Sequence, residues 1–122
     1  MWSVLDATAD RFPELPALQQ PLGGGAYRTW VWREYRDTVR ALAVGLRSIG
    51  VALGEVVGLA SETRAEFYLA DFAVMSAGAV AAAVYTSLPQ AEQARALVTA
   101  GVRVVFVAVS YTHLTLPTNR EV

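Results

Sequence analysis

The 122-residue chain contains neither cysteine nor lysine. Without cysteine there is no disulfide and no cysteine-based zinc site. Without lysine there is no phosphate-loop lysine, no Schiff-base lysine and no lysine general base, because all ten Lys or Arg positions are arginine. Charge is also sparse: charged residues make up 17% of the chain and the formal net charge is -1. Nothing in that balance favours nucleic acid or an anionic membrane as a partner. The longest apolar run, Ala77 to Tyr85, falls far short of the roughly 20 residues that cross a bilayer, so no transmembrane segment is expected. The opening "MWSVLDATADRF" carries acids where a secretory leader would be apolar. These absences together predict a soluble, cytoplasmic chain.

What the chain does have is an apolar content of 54%, enough for a packed core in one domain or a piece of one. Trp2, Leu5, Ala9 and Phe12 recur at helical spacing, and Pro13 ends the pattern. Two short extended runs follow, around Leu18 and over Tyr27 to Val31, separated by Pro21 and Gly23-Gly24-Gly25; they predict a hairpin. The three glycines are read as a turn, since no lysine follows them and no buried parallel strand precedes them. A second amphipathic helix sets Tyr35, Val39, Leu42, Leu46 and Ile49 on one stripe, with Arg33, Arg36, Asp37, Arg40 and Arg47 on a solvated face and Gly50 at its end.

Beyond Gly50 the pattern changes. "EVVGLA", "AVAAAVY" and "VRVVFV" are continuous apolar runs of the kind found in parallel strands covered on both faces. Between them lie helical segments over Thr63 to Ala77 and Pro89 to Ala100, each followed by glycine. The fold class is α/β: a partial doubly wound, mostly parallel β-α-β-α-β sheet preceded by a helix, a hairpin and an amphipathic helix. Thr63 and Glu66 match a capping box for the first of these helices, and Pro89 suits a first helical position in the second. Asp71, within an apolar helix, is read as a solvated or backbone-paired carboxylate. No residue is assigned a catalytic, cofactor-binding or metal role. Tyr85 and Thr86, at the carboxyl end of a predicted strand, are the substrate-cleft candidates, because open α/β sheets bind ligands at that edge.

The stretch "ATADRFPELPAL" and the run from Tyr27 to Pro89 resemble the N-terminal part of the adenylate-forming, AMP-binding acyl-CoA synthetases, most closely the long-chain fatty-acid–CoA ligases. The matching positions are Trp32-Arg33-Glu34-Tyr35, Gly50-Val51, Gly54-Glu55 with Val57, Ser61-Glu62-Thr63-Arg64 with Glu66-Phe67, Gly78-Ala79-Val80 and Tyr85-Thr86. Val31 stands where the family usually has a capping threonine, Thr63 where asparagine is frequent, and Ala65 where proline is common. The resemblance implies a two-step reaction, in which a fatty acid attacks the α-phosphate of ATP and coenzyme A then takes the acyl group. ATP, magnesium and coenzyme A are thereby implied for a full-length parent, and no cofactor for this chain. The family's phosphate loop, magnesium carboxylate and catalytic lysine have no counterpart here, so the chain is expected to be inactive alone and to lack the remainder of its own protein. The alternative is a free-standing α/β ligand- or nucleotide-binding module; against it, no G-x-G-x-x-G follows Val56 to Ala60.

The last stretch, "VSYTHLTLPTNREV", breaks with the preceding pattern and resembles a recurrent string translated from adapter sequence. Residues 1–108 are therefore expected to form the N-terminal part of the large domain, and 109–122 a non-native tail. The single histidine, His113, lies in that tail without a partner nucleophile or second ligand, and is assigned no role.

Overall fold

The computed structural model describes residues 2–107; the 109–122 segment and His113 lie outside the described residues. The elements run α1 (Trp2–Arg11), β1 (Pro16–Gly23), β2 (Ala26–Val31), α2 (Trp32–Ser48), β3 (Val56–Ala60), α3 (Ala65–Ser76), β4 (Val80–Ala83), α4 (Gln90–Thr99) and β5 (Val105–Val107). β1 and β2 pair antiparallel as a bulged hairpin around the three glycines. The other strands form a parallel sheet in the order β4-β3-β5. The predicted α/β architecture is the one observed.

Successive residues of β3 point to opposite faces of the sheet. Val57 joins Val74, Ala77 and Ala79 of the α3–β4 unit and Leu46 and Val51 of the α2 end in one buried cluster. Gly58 faces the other way, and a Cβ there would lie 2.7 Å from Leu97 of α4. The sheet is thus covered by α3, backed by α2, on one face, whereas on the other α4 approaches β3 through Leu97 and buries no residue of its own, leaving β4 and β5 only partly covered. A second cluster joins Leu5 of α1, Tyr35 and Val39 of α2, and Leu69 and Ala73 of α3, with hairpin residues Leu18 and Trp30 packed against it. α3 lies between the two clusters, which explains its broad apolar arc.

The three helices that lead into the sheet end alike. After α2, the amide of Gly50 donates to Arg47 and that of Val51 to Leu46; Gly78 and Ala79 repeat the pattern after α3, and Gly101 and Val102 after α4. These are Schellman motifs, and each glycine has the positive φ that the motif requires. In the first two, the residue after the glycine packs on the residue it bonds, Val51 on Leu46 and Ala79 on Val74.

Several local expectations are corrected. Ile49 is the C-cap of α2, with φ -89°, and leaves the buried stripe to become 61% exposed. Phe12 falls just beyond α1 and is also exposed, its ring beneath the Arg11 guanidinium. Pro89 is the N-cap of α4 rather than its first helical residue. The Thr63–Glu66 capping box does not form. α3 begins at Ala65 with Arg64 as N-cap, and the Glu66 carboxylate accepts from Arg64 Nε at 2.6 Å. At α2 the expectation about Val31 holds: valine offers no acceptor, so only the reciprocal arm forms, with Glu34 Oε1 accepting from the Val31 amide at 3.3 Å.

Candidate functional site

In the order β4-β3-β5 the chain leaves β3 to one side for β4 and returns to the other side for β5. The direction of winding reverses between β3 and β5, and open α/β sheets bind ligands in the crevice outside the carboxyl ends of the strands at such a point. A half-open cavity of about 250 Å³ lies there. Leu59, Phe67, Ala70 and Phe106 supply apolar walls, while Ser61, Arg64 and Glu66 supply its polar part. A second concavity, of about 460 Å³, lies on the other side of the same turn, against the end of β4, and includes Tyr85 and Thr86. The turn over residues 61–64 separates the two.

The polar groups of the turn are largely committed to one another. Ser61 Oγ donates to the Glu62 carbonyl at 2.8 Å. Burial opposes ionisation of Glu66, but the Arg64 hydrogen bond, the backbone amide of Glu66 itself and the charges of Arg64 and Arg28 outweigh it and hold the carboxyl below its ordinary range. The first-turn amides of α3 are also occupied. Ala65 donates to Gln20 Oε1 at 2.7 Å, and Phe67 and Tyr68 donate to the Arg64 carbonyl. A helix N-terminus can cradle phosphate only through free amides, and this one has committed them within the protein.

Tyr85 and Thr86 lie just past β4 at the mouth of the second concavity, with Tyr85 78% exposed. They are brought near Ser61 and Thr63 but take no part in the switch-point cavity. Burial raises the carboxyl of Asp71 above its ordinary range. It lies near the buried Tyr35 phenol, which burial first, and then Asp71 and Tyr68, push up to about 12. Arg64, Glu66, Phe67 and Phe106, which line the crevice, were not singled out as site residues from sequence. Their available signal was position directly after a predicted parallel strand; what it lacked was which strands are neighbours. Among the described residues no helix is long and apolar enough to cross a membrane.

A three-stranded parallel sheet flanked by helices, with a crevice at its switch point, defines a doubly wound α/β architecture. The model of the AMP-binding enzyme family matches residues 5–122. Rv1549, an uncharacterised protein of Mycobacterium tuberculosis, is 34% identical over 111 residues, which are 91% of this chain and 62% of that protein. The long-chain-fatty-acid–CoA ligase FadD15 of Mycobacterium bovis is 34% identical over 99 residues, 81% of this chain and 16% of the ligase. Among solved structures, the N-terminal subdomain of Klebsiella oxytoca NpsA superposes with a TM-score of 0.73 at 27% identity, over 90% of this chain and 28% of that one. IdnL1 shares the fold with a TM-score of 0.79 at 24% identity, over 96% of this chain and 24% of its own. The chain belongs to the AMP-binding enzyme family, within the adenylate-forming superfamily that its sequence resembles.

Proposed function

We propose that residues 1–108 are the N-terminal part of the large domain of an AMP-forming acyl-CoA synthetase and that residues 109–122 are a non-native tail. In that role the chain builds one side of the large domain and one wall of its substrate cleft, with Tyr85 and Thr86 facing the cleft. The parent converts a fatty acid, ATP and coenzyme A to acyl-CoA, AMP and pyrophosphate through an acyl-adenylate, in the cytoplasm. The observation that carries the acyl-CoA synthetase reading is the family match across residues 5–122, supported in its fatty-acid assignment by the 34% identity to FadD15; that match runs through residues 109–122, and the tail reading rests on the sequence string alone.

The chemistry of the crevice supports a wall rather than a reaction centre. The α3 amides are already used, the chain has no lysine, and the described residues contain no group of three His, Cys, Asp or Glu able to hold a metal. The residues present do not fit the phosphates of ATP or a magnesium ion, and no catalytic step is derived from them. ATP, magnesium and coenzyme A belong to the parent, whose remaining chain completes the site.

ATP–pyrophosphate exchange tests this directly. The purified 122-residue chain is expected to show none with any fatty acid, and detectable exchange would overturn the proposal. The gene's own reading frame, sequenced from a second source, is expected to continue past Val107 into a Ser/Thr/Gly-rich loop and a lysine. A stop codon soon after Val107 would favour the free-standing ligand-binding module instead.

A further inference from the structure

We propose that Gln20, on β1 of the hairpin, is a positioning residue for the switch-point cavity, fixing from outside the sheet the turn that carries Arg64 and Glu66 into it. The contact spans 45 residues of sequence: Gln20 Oε1 accepts from the Ala65 amide at 2.7 Å. The side-chain nitrogen of Gln20 donates to the Pro21 carbonyl at 3.3 Å, which orients the amide with its oxygen toward α3. Ala65 is only 5% exposed, so water cannot readily replace that acceptor, and a buried amide left without a partner is costly. No local side chain substitutes for it. Arg64, the N-cap, has no acceptor, and Thr63 makes no cap bond.

The geometry assigns the hairpin a task beyond its own packing. The first turn of α3 holds Arg64, Glu66 and Phe67, three of the cavity's lining residues. Their place relative to Phe106 depends on where that turn begins, and the Gln20 bond sets the start at Ala65. Without it the turn can fray from Arg64 onward while the body of α3, locked between two apolar clusters, stays in place. The inference concerns the site on which the proposed function rests, but its test reads the turn itself and can fail while the acyl-CoA synthetase reading stands.

Amide hydrogen exchange followed by NMR on the 122-residue chain tests it with two variants. Gln20→Leu removes the acceptor at similar volume, and Gln20→Glu keeps an oxygen within reach of Ala65. In the leucine variant the Ala65 amide is expected to exchange roughly tenfold faster, the population shift that loss of an ordinary hydrogen bond produces. Resonances of residues 61–67 should move, while Val57, Leu59 and Val74 keep their protection. The glutamate variant is expected to restore Ala65. Unchanged exchange at Ala65 would overturn the proposal. So would acceleration spread evenly through β3 and α3, which would make Gln20 a general stabiliser, or failure of the glutamate to rescue. Should the leucine variant not fold, Gln20→Asn, one methylene too short to reach, is judged by the same criteria.

Discussion

Replacing Leu59 by alanine should cost less than the same replacement at Leu46, although both side chains are buried, at 1% and 4% exposure. Each change deletes three carbons, and at about 0.8 kcal/mol per buried CH₂ the transfer loss is about 2.4 kcal/mol in either case. The difference lies in the space left behind. Leu46 sits in a closed cluster with Val51, Val57 and Val74. Its removal opens an isolated void whose lining loses contacts outright, adding about 1–2 kcal/mol and bringing the total to about 3.5–4.5 kcal/mol. Leu59 already lines the half-open cavity between β3 and β5. There the vacated volume merges with existing space that water can enter, so the void adds little and the cost stays near 2.5 kcal/mol.

Urea unfolding of the two variants beside the parent chain measures this, with an unchanged m-value confirming that stability alone has shifted. At this chain length each kcal/mol corresponds to roughly 4 °C in Tm, so a gap of about 1–2 kcal/mol between the variants is readily resolved. If Leu59→Ala proved more costly than Leu46→Ala, the space beside Leu59 would have to be closed and dry. The crevice could then not be an accessible site.

Four further outcomes are expected. Val31→Thr supplies the acceptor missing from the α2 capping box, in a residue already extended at φ -81° and ψ 163°, and should stabilise the chain by about 1 kcal/mol in the same urea assay. Gly58→Ala drives a Cβ to 2.7 Å from a terminal methyl of Leu97 and 3.3 Å from Val102 and Val105; overpacking of about 1–3 kcal/mol is expected, and a neutral result would show that the Leu97 side chain can turn aside. Glu55 is held below its ordinary range by the Arg103 hydrogen bond and then the Ala52 amide, so its contribution is present above the unfolded-state pKa and lost as pH falls through the folded one. Unfolding midpoints measured from about pH 5 down to about pH 3 should therefore decline, less steeply in Arg103→Gln. Tyr35 stays neutral in the fold up to about 12, so stability should fall as pH rises from the ordinary tyrosine value of about 10 toward that point; phenolate absorbance should show one late-titrating tyrosine, absent in Tyr35→Phe.

The features legible in the sequence are those whose physics is local. Gly50, Gly78 and Gly101 marked helix ends because a Schellman motif is closed by residues within one turn of its glycine. The β3 run declared itself because a strand covered on both faces has no room for alternation; β4 and β5 have equally continuous apolar runs but are only partly covered, with Val80 and Val107 about half exposed. The Thr63–Glu66 pair satisfied the same kind of local rule and failed. Gln20, distant in sequence, offered Ala65 an acceptor, and Arg64 took the carboxylate that would have reached back. Propensity named a plausible cap; tertiary contact chose another.

The candidate site shows the same division. The rule that ligands gather at the carboxyl edge of a parallel sheet led to Tyr85 and Thr86, which do lie at that edge. Choosing the crevice within the edge requires knowing that β5 pairs with β3 and not with β4, and no residue pattern in three continuous apolar runs distinguishes those pairings. The walls of the switch-point cavity come from residues near 59–70 and from Phe106 and Val107, so the cavity cannot exist until β5 has crossed the sheet and docked. Closing that long loop carries an entropic cost that only tertiary contacts offset. The Arg103 guanidinium, bonded to both Glu55 oxygens at 2.8–2.9 Å and to the Gly50 carbonyl, ties the approach to β5 to the approach to β3. A clamp at the amino end of the sheet thereby secures the neighbouring strands whose carboxyl ends form the crevice.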